Sequence, residues 1–186
     1  MYYQVISQCT QSLKNLETCL DKAEQHAAAK KFDLGVLMTS RLAPDMQHFT
    51  YQVQSACDYV KAAAAWLSGQ TPPKHEDNEQ TMDELRARIR KTVAFAQSVR
   101  EAQYAGASER KVKLSWAPGK VIGGEDYLLL RTTAFIHRMP VPVRAWLLGP
   151  LPFGRDGNHV VSVWPSVPRG NCHRSQATGW WRCRVV

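Results

Sequence analysis

The sequence runs to 186 residues, 44% of them hydrophobic, enough for one domain with a core. No stretch approaches 18 consecutive apolar residues, and the start, MYYQVISQCTQ, has no basic n-region before an apolar run, so neither membrane spanning nor secretion is expected and a cytoplasmic protein is. The formal charge of +8 is unevenly spread: residues 1–130 carry 16 Lys and Arg against 15 Asp and Glu, whereas residues 131–186 carry eight Arg, no Lys and one acid, Asp156, so a nucleic-acid partner is an issue only for the last third.

Residues 4–28 are predicted to form a first helix, because Ile6, Cys9, Leu13, Leu16, Leu20, Ala23 and Ala27 recur at intervals of three and four. Lys30-Lys31-Phe32 breaks that stripe, and Asp33 can cap a short helical segment through Leu42. From Arg41 to Gly69 the chain reads as one long amphipathic helix, with Met46, Phe49, Val53, Ala56, Val60, Ala63 and Leu67 on one stripe, Pro44 in the first turn and Gly69 as the stop. Beside the stripe, Asp45, His48 and Gln52 are spaced three and four apart, which makes them surface neighbours on such a helix and a candidate pocket or ligand-binding row.

Gln70 to Asn78, with Pro72-Pro73 and mixed charge, reads as a solvated connection. Thr81-Met82-Asp83-Glu84 matches a capping box that opens a third helix. Its seam is Met82, Leu85, Ile89, Thr92, Ala96, Val99 and Gln103, while Arg86, Arg88, Arg90, Lys91 and Arg100 are expected on a solvated basic face. After Gly106 the period changes to two: Lys111 to Trp116 and Lys120 to Ile122 flank Ala117-Pro118-Gly119, the pattern of a small β-hairpin. Gly123-Gly124-Glu125-Asp126 then starts a fourth helix of some 15 residues, which Pro140 and Pro142 bring to a stop. The expected fold is an all-α four-helix bundle with a small β-hairpin before a short fourth helix, covering residues 1–138.

Residues 139–186 are expected to be an irregular tail. Six of ten prolines, four of six tryptophans and eight arginines fall after Leu130 without a sustained period, a composition read as a shifted frame, a retained intron or an alternative splice. Interleaved Arg and Trp (Trp164, Arg169, Arg174, Trp180, Trp181, Arg182) is also the chemistry of single-strand nucleic-acid binding, the less favoured alternative for the tail. Val143 to Phe153 is expected to cover part of the groove that a short fourth helix leaves open, unless a second copy of the chain does so.

Five cysteines, an odd number without C-x-x-C spacing, read as reduced thiols. Cys57 is expected in the core, where apolar surroundings raise a thiol pKa. No G-x-S-x-G, phosphate-binding glycine loop or H-E-x-x-H occurs.

Lys22-Ala23-Glu24-Gln25-His26-Ala27, Arg41-Leu42-Ala43-Pro44-Asp45-Met46 with Gln52-Val53-Gln54 and Asp58, Leu67-Ser68-Gly69 and Gly124-Glu125-Asp126-Tyr127-Leu128 together resemble a family of uncharacterised bacterial and fungal proteins, DUF1993, grouped with the DinB/YfiT-like metalloenzymes. The resemblance spans residues 1–130 and implies an up-down-down-up bundle with a divalent-metal site or ligand pocket between helices. The superfamily's metal chemistry uses one histidine on the second helix and two, four apart, on the fourth. His48 matches the first by position, and His137, with Thr133 and Val141 four residues to either side, is a lone candidate for the others. Three function classes stay open: a bundle that binds a small ligand or a partner, including a homodimer; a nickel- or zinc-dependent thiol transferase or hydrolase using His48; and a nucleic-acid binder.

Overall fold

A helix of 29 residues, α1 (Tyr2–Lys30), opens a computed structural model that describes residues 1–41, 44–114, 119–138, 172–174 and 181–183. Each of its seven predicted stripe positions is buried, from Ile6 to Ala27. The helix ends at Lys31, which takes a left-handed conformation (φ 56°) so that its N–H and that of Phe32 close on the carbonyls of Ala28 and Ala27. Asp33 caps α2 (Leu34–Thr39) by accepting the Gly35 N–H at 2.6 Å.

The next helix, α3 (Phe49–Leu67), begins eight residues later than Arg41. Pro44, Asp45 and Met46 lie in a turn before it, and the Phe49 N–H closes that segment on the Ser40 carbonyl at 3.0 Å. From Phe49 onward the predicted stripe holds: Phe49, Val53, Ala56, Val60, Ala63 and Leu67 are buried, Val53 to Leu67 completely. α4 (Met82–Ser98) carries the expected capping box, with Thr81 Oγ1 accepting the Glu84 N–H at 3.2 Å and Glu84 Oε2 accepting the Thr81 N–H at 3.0 Å. Its seam from Met82 to Val99 is buried, but the helix stops at Ser98 and Gln103 falls in a following 3-10 turn, Glu101–Tyr104.

β1 (Lys111–Lys113) and β2 (Val121–Gly123) pair antiparallel, Val112 opposite Ile122. The chain then enters the closing helical run, α5 (Gly124–Asp126), a π-helical segment (Tyr127–Thr133) and α6 (Ala134–Arg138). The wider π turn is held by Thr132 and Thr133, whose hydroxyls donate to the carbonyls of Tyr127 and Leu128, five residues back. Gly124 is where the run meets the bundle: a Cβ there would lie 2.8 Å from the Ala107 carbonyl oxygen and 2.8 Å from Leu67 Cδ2, so only glycine lets the backbones approach.

α1, α3, α4 and the closing run make a four-helix bundle around one apolar core, with Leu20, Val60, Ile89 and Leu128 fully buried. At one side of it Tyr127 packs edge-on to Trp66 with centroids 4.9 Å apart, and Tyr59 meets Phe135 at 4.8 Å. No helix among the described residues is long and apolar enough to cross a membrane.

The chain divides into two compact units, Met1–Leu151 and Pro152–Val186. In the second, β3 (Cys172–Arg174) pairs antiparallel with β4 (Trp181–Cys183), Cys172 opposite Cys183. Strands of three residues are too short to register as a period in sequence. The stretch Val143 to Phe153 lies outside the described residues.

Candidate functional site

The residues singled out in the sequence do not come together as one helical row. Asp45 is exposed in the turn before α3, and His48 precedes the first helical residue. His48 is the N-cap: its Nδ1 accepts the Tyr51 N–H at 3.2 Å, and its carbonyl takes the Gln52 N–H. Gln52, half-buried in the first turn, donates to the Gln47 carbonyl at 3.3 Å. His137 is exposed on α6. The spacing argument assumed a helix running from Arg41, and the late start of α3 removes its geometry. No group of three His, Cys, Asp or Glu that could hold a metal occurs among the described residues. With one His48 nitrogen committed to the helix cap and His137 solvated, the donor set does not fit a three-ligand nickel or zinc centre.

The strongest polar arrangement lies elsewhere, where the segment before α4 folds back on α3 and α4. Two of the arginines expected on a solvated face are buried: Arg86 is 8% exposed and Arg88 4%. Both sit on the flanks of the apolar seam, where a long side chain can lie along the neighbouring helix. Arg86 reaches α1, bonding Asp21 and Glu24, and closes on Asp83 at 2.8 Å. Arg88 gathers three elements. One terminal nitrogen donates to the Glu76 carbonyl at 3.0 Å and to Glu79 Oε1 at 2.8 Å; the other meets Asp58 of α3 at 2.9 Å and Asp77 at 2.8 Å. Gln54 of α3 donates to the second Glu79 oxygen at 2.8 Å, and Lys61 bonds Asp58 at 2.7 Å. Burial alone would push the Glu79 carboxyl up, but the bonds from Arg88 and Gln54 outweigh it and hold it below its usual range.

Arg88 and Glu79 of this clasp line an open cleft of about 510 Å³ between residues 74–79 and α4, with His75, Lys74, Glu76 and Lys91 around it. His75 is the unusual member. Both of its ring nitrogens are withdrawn from solvent and neither has a hydrogen-bond partner in the protein. Burial, then the positive charges of Lys61, Arg88 and Lys91, push its pKa from 6.5 down to about 4, with Asp58 opposing. The imidazole is therefore neutral near pH 7, with one N–H and one lone pair that nothing in the protein satisfies.

A smaller apolar cavity, about 30 Å³, lies between α1, α3 and α6, lined by Leu13, Cys19, Ala56 and Ile136 among others. It has room for little more than a water and few polar groups to hold one. The thiols are unsuited to nucleophilic roles: burial pushes Cys9 up to about 11 and Cys57 to about 12.

Sequence reasoning missed the cleft because periodicity treats every cation off the stripe as solvated. The available signal was the run Glu76-Asp77-Asn78-Glu79 directly ahead of a helix with arginines one place to either side of its seam.

The profile of a domain of unknown function, DUF1993, matches residues 1–137. A crystal structure of a DinB family member protein from Shewanella denitrificans is similar to this chain with a TM-score of 0.71 and 32% identity, over 82% of this chain and 94% of that one. A comparison with curated proteins gives no match.

Proposed function

We propose, starting from the fact that this chain belongs to the DUF1993 family, that it is a small-molecule binding bundle whose ligand enters the cleft between residues 74–79 and α4. The observation that carries the reading is His75: a neutral ring whose two nitrogens are both out of solvent, both without a protein partner, and beside an open cleft. Buried polar atoms are nearly always hydrogen-bonded, so such a pair calls for a partner from outside the chain. The Arg88 clasp supports the reading by holding the segment that follows His75, through the Glu76 carbonyl and the Asp77 and Glu79 carboxylates, so that one wall of the cleft is fixed before a ligand arrives.

A thermal-shift screen of small polar metabolites tests it. Ligands of the cleft raise the melting midpoint of the unaltered chain and fail to raise that of His75→Phe. Equal stabilisation of both proteins, or a screen without a hit, contradicts the reading.

A further inference from the structure

We propose that Cys172 and Cys183 form a reversible dithiol–disulfide couple, a redox site that takes a small disulfide of the glutathione type as its oxidant.

β3 and β4 pair antiparallel with Cys172 opposite Cys183, His173 opposite Arg182 and Arg174 opposite Trp181. Directly opposed residues of an antiparallel pair share one face of the ribbon, with Cα atoms about 4.5 Å apart at a non-hydrogen-bonded position and about 5.5 Å at a hydrogen-bonded one. A disulfide needs a Cα separation of about 4.4–6.8 Å, so either kind of position admits the bond with the backbone where it is. Sequence spacing could not show this, because strand pairing, and not a C-x-x-C turn, brings the two cysteines together. The other three cysteines are poor competitors. Cys9 and Cys57 are buried, Cys19 is half-buried, and burial raises the pKa of all three.

The charges along the ribbon suit thiol chemistry. Arg174 follows Cys172 at the next position on the same face, His173 and Arg182 form the adjacent register pair, and Arg184 follows Cys183. After Asp156 the sequence has no Asp or Glu. Nearby cations favour the thiolate, which is the form that attacks a disulfide, and they attract an anionic oxidant such as glutathione disulfide.

In the first step one cysteine thiolate attacks a sulfur of glutathione disulfide, forming a mixed disulfide and expelling one glutathione thiolate. The second cysteine thiolate then attacks the protein sulfur of that intermediate and expels the other glutathione. The cysteines lose two electrons, glutathione disulfide gains them, and the two thiol protons end on the departing glutathiones. Excess glutathione reverses both steps, so the couple follows the thiol–disulfide poise around it. When closed, the bridge staples a two-stranded ribbon that is otherwise marginal.

The test equilibrates the full chain at pH 7 with glutathione buffers of graded ratio, traps free thiols with an alkylating agent and maps the cysteine peptides by mass spectrometry. The expected result is a peptide linking Cys172 to Cys183, two hydrogens lighter than the reduced pair, while Cys9, Cys19 and Cys57 remain alkylatable on unfolding. Cys172→Ser is expected to stop at a glutathione adduct on Cys183. Cys172→Ser combined with His173→Cys moves one thiol to the opposite face of the ribbon, and is expected to lower the equilibrium constant for bridge formation about tenfold. A constant unaltered by that shift overturns the proposal, because the bridge would then owe nothing to the register. Glutathione adducts on both cysteines without a bridge, or a bridge from either of them to Cys19, overturn it as well.

Discussion

Removing the Arg88 guanidinium would leave Glu79, whose side chain is 10% exposed, with its charge uncompensated beside Asp58 and Asp77. Breaking one partner of such a buried pair typically costs 3–5 kcal/mol, so Arg88→Met is expected to lower unfolding free energy by about 3 kcal/mol, read from denaturant melts. His75 sets a pH dependence of its own. Its folded pKa lies below its unfolded one, so from pH 6.5 down to about 4 the unfolded chain binds the extra proton and stability falls as pH falls. Above 6.5 this contribution is constant. His75→Phe is expected to flatten the decline of melting midpoint over that window, and an unchanged slope would show that the ring is not held neutral. His48 has a structural task that its match to a metal-ligand pattern did not reveal: as N-cap of α3, its loss in His48→Ala should cost about 1 kcal/mol, whereas His48→Ser, which can also cap, should cost little. Equal losses in the two variants would assign the side chain another role.

Element by element, legibility followed how much of each helix is decided by its own apolar stripe. α1 and α4 could be read almost residue for residue, because their buried positions from Ile6 to Ala27 and from Met82 to Val99 repeat with the helical period and a capping box marks one start. The start of α3 could not. Met46 continues the stripe by spacing, yet the chain is still turning there, because the Ser40 carbonyl captures the Phe49 N–H across the loop; a contact nine residues apart leaves no periodic trace. The candidate row Asp45, His48 and Gln52 went with that start. The closing run was legible as a helix but its π-helical middle was not, since it depends on Thr132 and Thr133 bonding carbonyls five residues back. Gly124 anchors the run: Gly124→Ala places a methyl against a backbone oxygen that cannot yield as a side chain would. Overpacking of this kind costs about 1–3 kcal/mol, and a melt that matches the unaltered chain would mean that the close approach does not exist in solution.

For the whole molecule, the bundle was readable and the site was not. Four amphipathic helices have few ways to bury their stripes, and the DUF1993 match and the DinB family neighbour agree with that architecture. The cleft depends on charges meeting across α3, α4 and the intervening segment, with Arg88 thirty residues from Asp58, and pairing over that distance is invisible to any local pattern. The central claim is that small molecules bind beside His75. Chemical-shift mapping of the full, isotope-labelled chain with hits from the thermal-shift screen tests it most directly. The account predicts perturbed amides confined to residues 74–79 and 87–91; perturbations centred on His48, or on Leu13, Cys19 and Ile136 around the apolar cavity, would contradict it.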